Sequence, residues 1–392
     1  MENIFDTILN STPDIKKIPQ FNPNGEFDNI EAITFDGAPI GDKKTKVFAY
    51  IGYPENINGK VPAIVLVHGG GGTPYLPWVK LWNEHGYAAI AMSTTGDFPV
   101  TVNAGATSST FNDEWHHGLC SDFKELGYTD APANDHMEHS HEAIDKQWMY
   151  HAISQVIASH NIFRNDERVD CKKIGIMGLS WGGVITSLTT GYDNRFAFAI
   201  PVFGSGYLAE SMGTLGKFFR SGENKKLWLA ESNFDNVTIP VLWQCMNNDT
   251  PFSANSNSKS YIDTRRTNSQ TRLSIVEGMR HSYEDASVRP EPFMFADLVC
   301  KNQKRMPEIW ENEIKNDDDA KIRSLRVFYI DAPMSYSQTD DGGVVMDQKW
   351  HYKDLDSLND ALPDEAVEYY FELTSEIDNK LCITTSQIFR KD

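Results

Sequence analysis

The chain has 392 residues, 40% of them apolar and 23% charged, a balance that excludes collagen-like, low-complexity and wholly disordered classes. Lysine and arginine number 36 against 55 acidic residues, and the resulting net charge of −19 repels phosphate backbones, so no nucleic-acid partner is expected. This length admits two or three domains, or one large α/β domain with insertions.

Residues 1–28 are polar, carry prolines and show no periodicity, which predicts an arm on the surface. IEAITF and KVFAYIG, separated by the turn-rich GAPIGDKK, predict an antiparallel hairpin. The nearly continuous apolar run VPAIVLV, Val61 to Val67, suits a strand buried on both faces and ends in HGGGG. A helical segment around Leu76 to Glu84 and the strand YAAIAM complete a βαβ crossover. The stretch 94–140 is rich in glycine, aspartate, histidine and proline and reads as an insertion at the sheet edge; loops of that length usually have a job.

Regular patterning returns in AIDKQWMYHAISQVIASH, whose apolar residues recur at three- and four-residue steps as on an amphipathic helix. Ile174 to Met177 predicts a strand, a helix begins after Ser180, and Phe196 to Phe203 predicts a further strand. A second insertion covers 204–237, then Ile239 to Trp243 and Leu273 to Val276 read as buried strands and PFMFADLVC as a closing helix. Alternation of this kind predicts an α/β domain over 29–314, with a mostly parallel central sheet flanked by helices. Beyond the acidic KNDDD the texture changes to strand-like runs, SLRVFYI, VVMDQKWHY, AVEYYFEL and CITTSQIF, so 315–392 is expected to form a small C-terminal β-rich domain.

The sharpest chemical signal is GLSWGG, residues 178–183, directly after the IGIM strand and before a helical stretch. GxSxG in a strand, turn, helix context lifts a serine hydroxyl off the end of a strand, and the turn is too tight for side chains two positions either side. The bland alternative is a glycine-rich turn with an idle serine. A serine hydroxyl needs a base within reach and a carboxylate to orient that base, and where the serine sits on a strand, turn, helix elbow these follow in the order Ser, Asp or Glu, His. Asp249, in NNDTPF, and His281, in GMRHSYED, each come after a predicted strand; Asp235 and Asp263 are competitors that do not. No other histidine lies between His160 and the tail.

His68 and the glycines 69–72 close the first buried parallel strand. An oxyanion needs preorganised N–H donors, and the expected ones are the amide of Trp181 and one from this loop, Gly70 or Gly71. The run lacks the GK[ST] of a phosphate-binding loop and the spacing of GxGxxG. His116, His117, His136, His139 and His141 cluster in the first insertion, but HExxH is absent, so a solvated or substrate-shaping lid is preferred over a metal site. Phe111, Trp115 and Trp181 are either pocket wall or core.

Cys120, Cys171, Cys245, Cys300 and Cys382 form no CxxC, and an odd number cannot pair fully, which points to free thiols in a reducing compartment. The opening MENIFDTILNSTPDIKK lacks the basic and apolar regions of a secretory leader, and no apolar run nears the roughly 18 residues of a membrane span. A cytoplasmic protein without a membrane partner is expected, although a chain trimmed of its leader would read the same. An oligomer is left open.

HGGGG after a buried strand, WMYHAISQVIASH before DCKKIGIMGLSWGG, and DNRFAFAIPVFGSGYL together resemble the α/β-hydrolase superfamily over about residues 30–301. The likeness is closest to the acetyl xylan esterase and cephalosporin deacetylase-like branch, which neighbours the prolyl oligopeptidase type catalytic domains. It implies the α/β-hydrolase fold and a serine esterase with Ser180, Asp249 and His281 as its triad, requiring neither metal nor organic cofactor. The expected substrates are esters of short acyl groups, such as acetyl groups on a carbohydrate or related small molecule. A peptidase or amidase with the same triad, and a non-catalytic binding protein on the same fold, are the alternatives. The tail aromatics Trp350, Tyr352, Tyr369 and Tyr370 read as core rather than as a polysaccharide platform.

Overall fold

The apolar run at Val61 forms the centre of a nine-stranded sheet. A computed structural model describes residues 3–101, 115–211, 214–220, 225–317 and 320–391. The strands are β1 (Lys16–Lys17), β2 (Ile30–Asp36), β3 (Lys46–Gly52), β4 (Val61–Val67), β5 (Ala88–Met92), β6 (Val169–Leu179), β7 (Phe198–Val202), β8 (Leu242–Met246) and β9 (Arg272–Val276). Their order across the sheet is β1-β2-β3-β5-β4-β6-β7-β8-β9. From β5 to β9 all neighbours are parallel, whereas β1, β2 and β3 form an antiparallel flank. This is the mostly parallel sheet expected from the alternation of strands and helices, in the α/β-hydrolase arrangement that the motif resemblance implies.

Helices α1 (Leu76–Glu84), α2 (Trp148–Arg164), α3 (Trp181–Tyr192), α4 (Ala254–Thr267) and α5 (Pro290–Lys301) provide the principal crossovers and the closing helix. Strand β8 starts later than the apolar run that marks it. Pro240 has no N–H to give to a ladder, so pairing there is confined to its carbonyl, which accepts from Ala199 N at 3.1 Å. The strand therefore runs on to Met246 and delivers the next loop at the carboxyl end of the sheet. Helix α4 was not legible, because its sequence ANSNSKSYIDTRRT lacks an apolar stripe. It buries small polar residues instead, among them Ser256, Asn257, Ser258 and Ser260.

The amino-terminal arm is anchored rather than merely laid on. Phe5 is fully buried, stacked on Tyr150 at 5.3 Å and edge-on to Tyr192 at 5.0 Å, and Asn161 Nδ2 donates to the carbonyls of Ile8 and Ser11. In the first insertion, Phe98 and Trp115 pack on Phe48 of β3, so Trp115 is core; Phe111 lies outside the described residues. Among the described residues no helix is long and apolar enough to cross a membrane.

The carboxyl-terminal region forms a separate antiparallel sheet of β10 (Lys321–Ile330), β11 (His351–Leu355), β12 (Glu368–Ile377), β13 (Lys380–Thr385) and β14 (Phe389–Arg390). The order is β11-β10-β12-β13, with β14 also pairing with β12. Between β10 and β11, residues 336–338 and 344–346 pair as a small hairpin. Strand β13 packs beside β9, and Ile275 N donates to Thr385 Oγ1 at 3.4 Å. The tail aromatics divide: Tyr370 is fully buried and stacked on Phe328 at 5.1 Å, Trp350 is half-buried, and Tyr352 is exposed beneath Arg326.

Glu372 on β12 lies almost wholly out of water. Burial pushes its carboxyl up to about 7, helped by Glu277 and Glu291 and opposed by Arg326 and Arg289. A carboxyl whose pKa is higher in the folded than in the unfolded chain holds its proton more tightly when folded. Its stabilising effect is complete below the unfolded value of about 4.3 and is lost as pH rises to about 7. Thermal unfolding followed from pH 4.5 to 8 should show Tm falling across this window, by the equivalent of at most about 3 kcal/mol. Glu372→Gln should remove that part of the slope and raise Tm at pH 8; parallel curves for the two proteins would refute the assignment.

Candidate active site

Ser180 is the single residue between the end of β6 and the start of α3, and its backbone sits at φ 58°, ψ −121°. That left-handed φ is costly for any residue with a Cβ and persists only where its surroundings enforce it. The glycines do so by allowing contacts that no other residue could make. A Cβ on Gly178 would stand 2.1 Å from the carbonyl oxygen of Gly182, one on Gly182 2.0 Å from that of Val67, and one on Gly183 2.7 Å from that of Val202. Ser180 N donates to the Val202 carbonyl at 2.9 Å, so the turn is pinned to β7 while its side chain stays half-buried at the cavity wall.

The loop after β8 carries Asp249, 1% exposed, and the loop after β9 carries His281. Asp249 Oδ2 lies 2.9 Å from His281 Nδ1, while Oδ1 accepts from Phe252 N at 3.1 Å. A donating Nδ1–H leaves Nε2 as the imidazole atom able to take a proton. Phe203 and Phe252 stack on the ring at 4.6 and 5.7 Å, fixing its plane. The competing aspartates lie elsewhere: Asp263 accepts from the Tyr207 phenol and from Arg266, and Asp235 is exposed. Ser180 and His281 line the same cavity of about 360 Å³ with Gly69–Gly72, Tyr75 and Tyr283. Among the described residues no hydrogen bond joins Ser180 Oγ to the imidazole, a contact that commonly tightens only with substrate in place.

The glycine loop is held by the histidine that opens its motif. His68 Nδ1 lies 2.8 Å from the Gly69 carbonyl and Nε2 accepts from Thr94 N at 3.0 Å, a pair of bonds that only a neutral ring protonated at Nδ1 can make. Burial pushes its pKa down, in the same sense. A Cβ on Gly69 would lie 3.2 Å from Ser180 Cβ, and one on Gly70 2.4 Å from the Trp181 indole; Gly71 faces open space. Among the described residues neither the Gly70 nor the Gly71 amide has an acceptor. Trp181 opens α3, where first-turn amides have no partner within the helix.

Sequence reasoning missed several residues around this centre. Asn134 Nδ2 donates to the Gly70 carbonyl at 3.3 Å and its Oδ1 accepts from His136 N at 3.0 Å, tying the glycine loop to a turn in which His136 has φ 51°. The ANDH string is a local turn signal that could have singled it out. His136 then joins Trp181, Leu215, Lys217, Phe218, Pro251 and Phe252 around a second cavity of about 370 Å³ that also reaches Ser180. Trp181 is thus pocket wall as well as neighbour of Ser180. A larger groove of about 950 Å³ beside the arm holds none of the three triad candidates.

The other histidines of the cluster disperse. His117 Nδ1 faces Asp97, which pushes its pKa up, His139 pairs with Asp135 at 2.7 Å, His141 turns to the Glu138 carbonyl and His116 is exposed. Among the described residues no three His, Cys, Asp or Glu side chains converge as metal ligands.

Residues 47–316, well over half of the chain, match the model of the dienelactone hydrolase family. No curated protein matches the sequence. Solved structures give distant likenesses: the acylaminoacyl peptidase of Pyrococcus horikoshii, 18% identical with a TM-score of 0.45, covers 69% of this chain and 40% of its own. Acetyl xylan esterase 1 from Thermoanaerobacterium sp. JW/SL YS485, 14% identical with a TM-score of 0.46, covers 70% of this chain and 86% of its own. A family 15 glucuronoyl esterase from Caldicellulosiruptor kristjansonii, 16% identical with a TM-score of 0.45, covers 74% and 80% respectively. This chain therefore spans only about two-fifths of the peptidase's length. The superfamily expected from the motifs is the one found, and within it the chain belongs to the dienelactone hydrolase family and carries the α/β-hydrolase fold.

Proposed function

We propose that this protein hydrolyses carboxylic esters through an acyl-serine intermediate, with Ser180 as nucleophile, His281 as general base and then acid, and Asp249 as the group that orients the imidazole. The observation that carries this reading is the 2.9 Å Asp249–His281 bond on the rim of a cavity shared with a serine held at φ 58°. Ser180 Oγ adds to the ester carbonyl as its proton passes to His281 Nε2, and Asp249 stabilises the imidazolium. The amides of Trp181 and of Gly70 or Gly71 take the oxyanion, each such donor contributing about 3 to 4 kcal/mol in comparable sites. Collapse expels the alcohol, which takes the proton from His281; water then repeats the sequence and releases the acid.

Two cavities meeting at Ser180 support separate seats for acyl and alcohol. The proton must reach the leaving oxygen from His281, so the cavity bearing His281 suits the alcohol and the one bounded by Trp181, Leu215, Phe218 and Phe252 suits the acyl group. The likeness of the stretch from Trp148 to Leu208, GLSWGG included, to the acetyl xylan esterase and cephalosporin deacetylase-like branch supports short acyl esters, including acetylated carbohydrates, as the first substrates to assay. An amide-cleaving enzyme would use the same groups, and the soluble anilide below separates the two.

Ser180→Ala and His281→Ala should each lower ester turnover by about 10⁴-fold or more, and only the wild type should be labelled by a fluorophosphonate. Retained turnover in Ser180→Ala would end this reading. p-Nitrophenyl acetate should be cleaved in preference to an aminoacyl anilide; anilide turnover without ester preference would favour a peptidase. Across p-nitrophenyl esters of graded acyl length, the acyl-side volume of about 370 Å³ should sustain kcat/KM from acetyl to at least butyryl. A drop of more than about tenfold between those two would show that the volume does not hold the acyl group.

A further inference from the structure

The turn that carries Asp249 is held by the carboxyl-terminal sheet at several points. Trp350 Nε1 donates to the Asn247 carbonyl at 2.8 Å, two residues before the acid. The indole packs edge-on against the fully buried ring of Tyr370 at 5.0 Å. On the other side of the acid, Tyr336 pairs with Met346 in the small hairpin, whose second strand lines a cleft with Asn247 and Thr250; the Tyr336 phenol donates to Met334 Sδ at 3.1 Å and lies close enough to Asp249 to sense its charge. One helical turn further on, Ile388 N donates to Ser258 Oγ at 2.8 Å. The catalytic body holds the far side of the turn, where Ser211 Oγ donates to the Pro251 carbonyl at 3.1 Å and Asn257 Nδ2 to the carbonyls of Phe252 and Ser253. The outer face of the turn, at Asn247, Asn248 and Thr250, opens on a cleft of about 640 Å³ shared with Val344, Met346 and Trp350.

Among the described residues, Asp249 accepts only the Phe252 amide and the His281 Nδ1–H in this arrangement. A buried carboxylate with two partners keeps its aim only if its backbone cannot slide, and the cleft behind the turn leaves room for sliding. We propose that Trp350 and Tyr336 are positioning residues for the Asp249–His281 pair: the carboxyl-terminal sheet braces the acid-bearing turn across that cleft and so keeps Oδ2 on the imidazole. The brace acts through Asp249 and touches no substrate. This inference rests on the triad reading above.

The test compares the full-length wild type with Trp350→Phe, which keeps a ring against Tyr370 but removes the N–H, and with Tyr336→Phe. Exposed Tyr352 on the same sheet supplies the control Tyr352→Ala. Three readouts are taken: kcat and KM with p-nitrophenyl acetate, Tm, and the far-downfield proton resonance of the His281 Nδ1–H shared with Asp249. Misplacement of a catalytic group by about 1 Å can cost about 100-fold, so a partial loss of bracing is expected to lower kcat by about 5- to 20-fold in Trp350→Phe with KM within about twofold. Its downfield resonance should broaden or vanish while Tm stays within about 3 °C of the wild type.

Tyr336→Phe should change kcat and the resonance in the same direction, and Tyr352→Ala should change neither. An unaltered kcat and resonance in folded Trp350→Phe and Tyr336→Phe would overturn the proposal, as would a rise in KM alone. If Trp350→Phe does not fold, Tyr336→Phe alone decides between these outcomes on the same criteria. The resonance needs no substrate, so it separates a failed brace from a failed triad: turnover surviving in Ser180→Ala with the resonance still sensitive to Trp350→Phe would sink the triad and leave the brace standing.

Discussion

Everything at the candidate site is arranged around a steric fact, the absence of room for a Cβ where β6 turns into α3. Gly178, Gly182 and Gly183 let β4, β6, β7 and the first turn of α3 meet at distances that only hydrogen atoms can fill. The left-handed backbone at Ser180 is the price of that crowding, and the parallel sheet makes it tolerable by pinning the serine amide to β7. Because the strands are parallel, their carboxyl ends share one rim, so the loops after β4, β6, β8 and β9 all arrive near the same hydroxyl.

Side chains other than the three triad candidates complete the geometry. His68 is neutral and fixed by two bonds, so its motif contributes a rigid histidine as well as flexible glycines. Phe203 and Phe252 set the plane of His281, and Asn134 links the glycine loop to the turn at His136. Preorganisation of this kind is what allows a few hydrogen bonds to act in the transition state without reorganisation at the moment of reaction.

The sequence was most legible where local sterics dictate residue type. GLSWGG, VPAIVLV and the order Ser, Asp, His announce a turn, a doubly buried strand and the topological rim, and apart from the late start of β8 the sheet's strands fall where the apolar runs do. Legibility failed where burial is shared between distant segments. Helix α4 hides because its buried face is serine and asparagine, satisfied by the chain's own backbone and by the carboxyl-terminal region rather than by an apolar stripe. Trp350, Tyr336 and Asn134 hide because their meaning depends on partners tens to a hundred residues away. Nor does periodicity reveal that Phe5 in the polar arm is wholly enclosed.

The two borders of the nine-stranded sheet are finished differently. On one side β1 is two lysines long, a short and charged margin that offers little to a passing chain. On the other, β9 is buried along its whole length and is shielded by β13, with the Ile275 amide engaged by Thr385. A polypeptide clipped between the two sheets would bare that border as a ready template for fibrous self-association, so the carboxyl-terminal sheet also guards the molecule against aggregation.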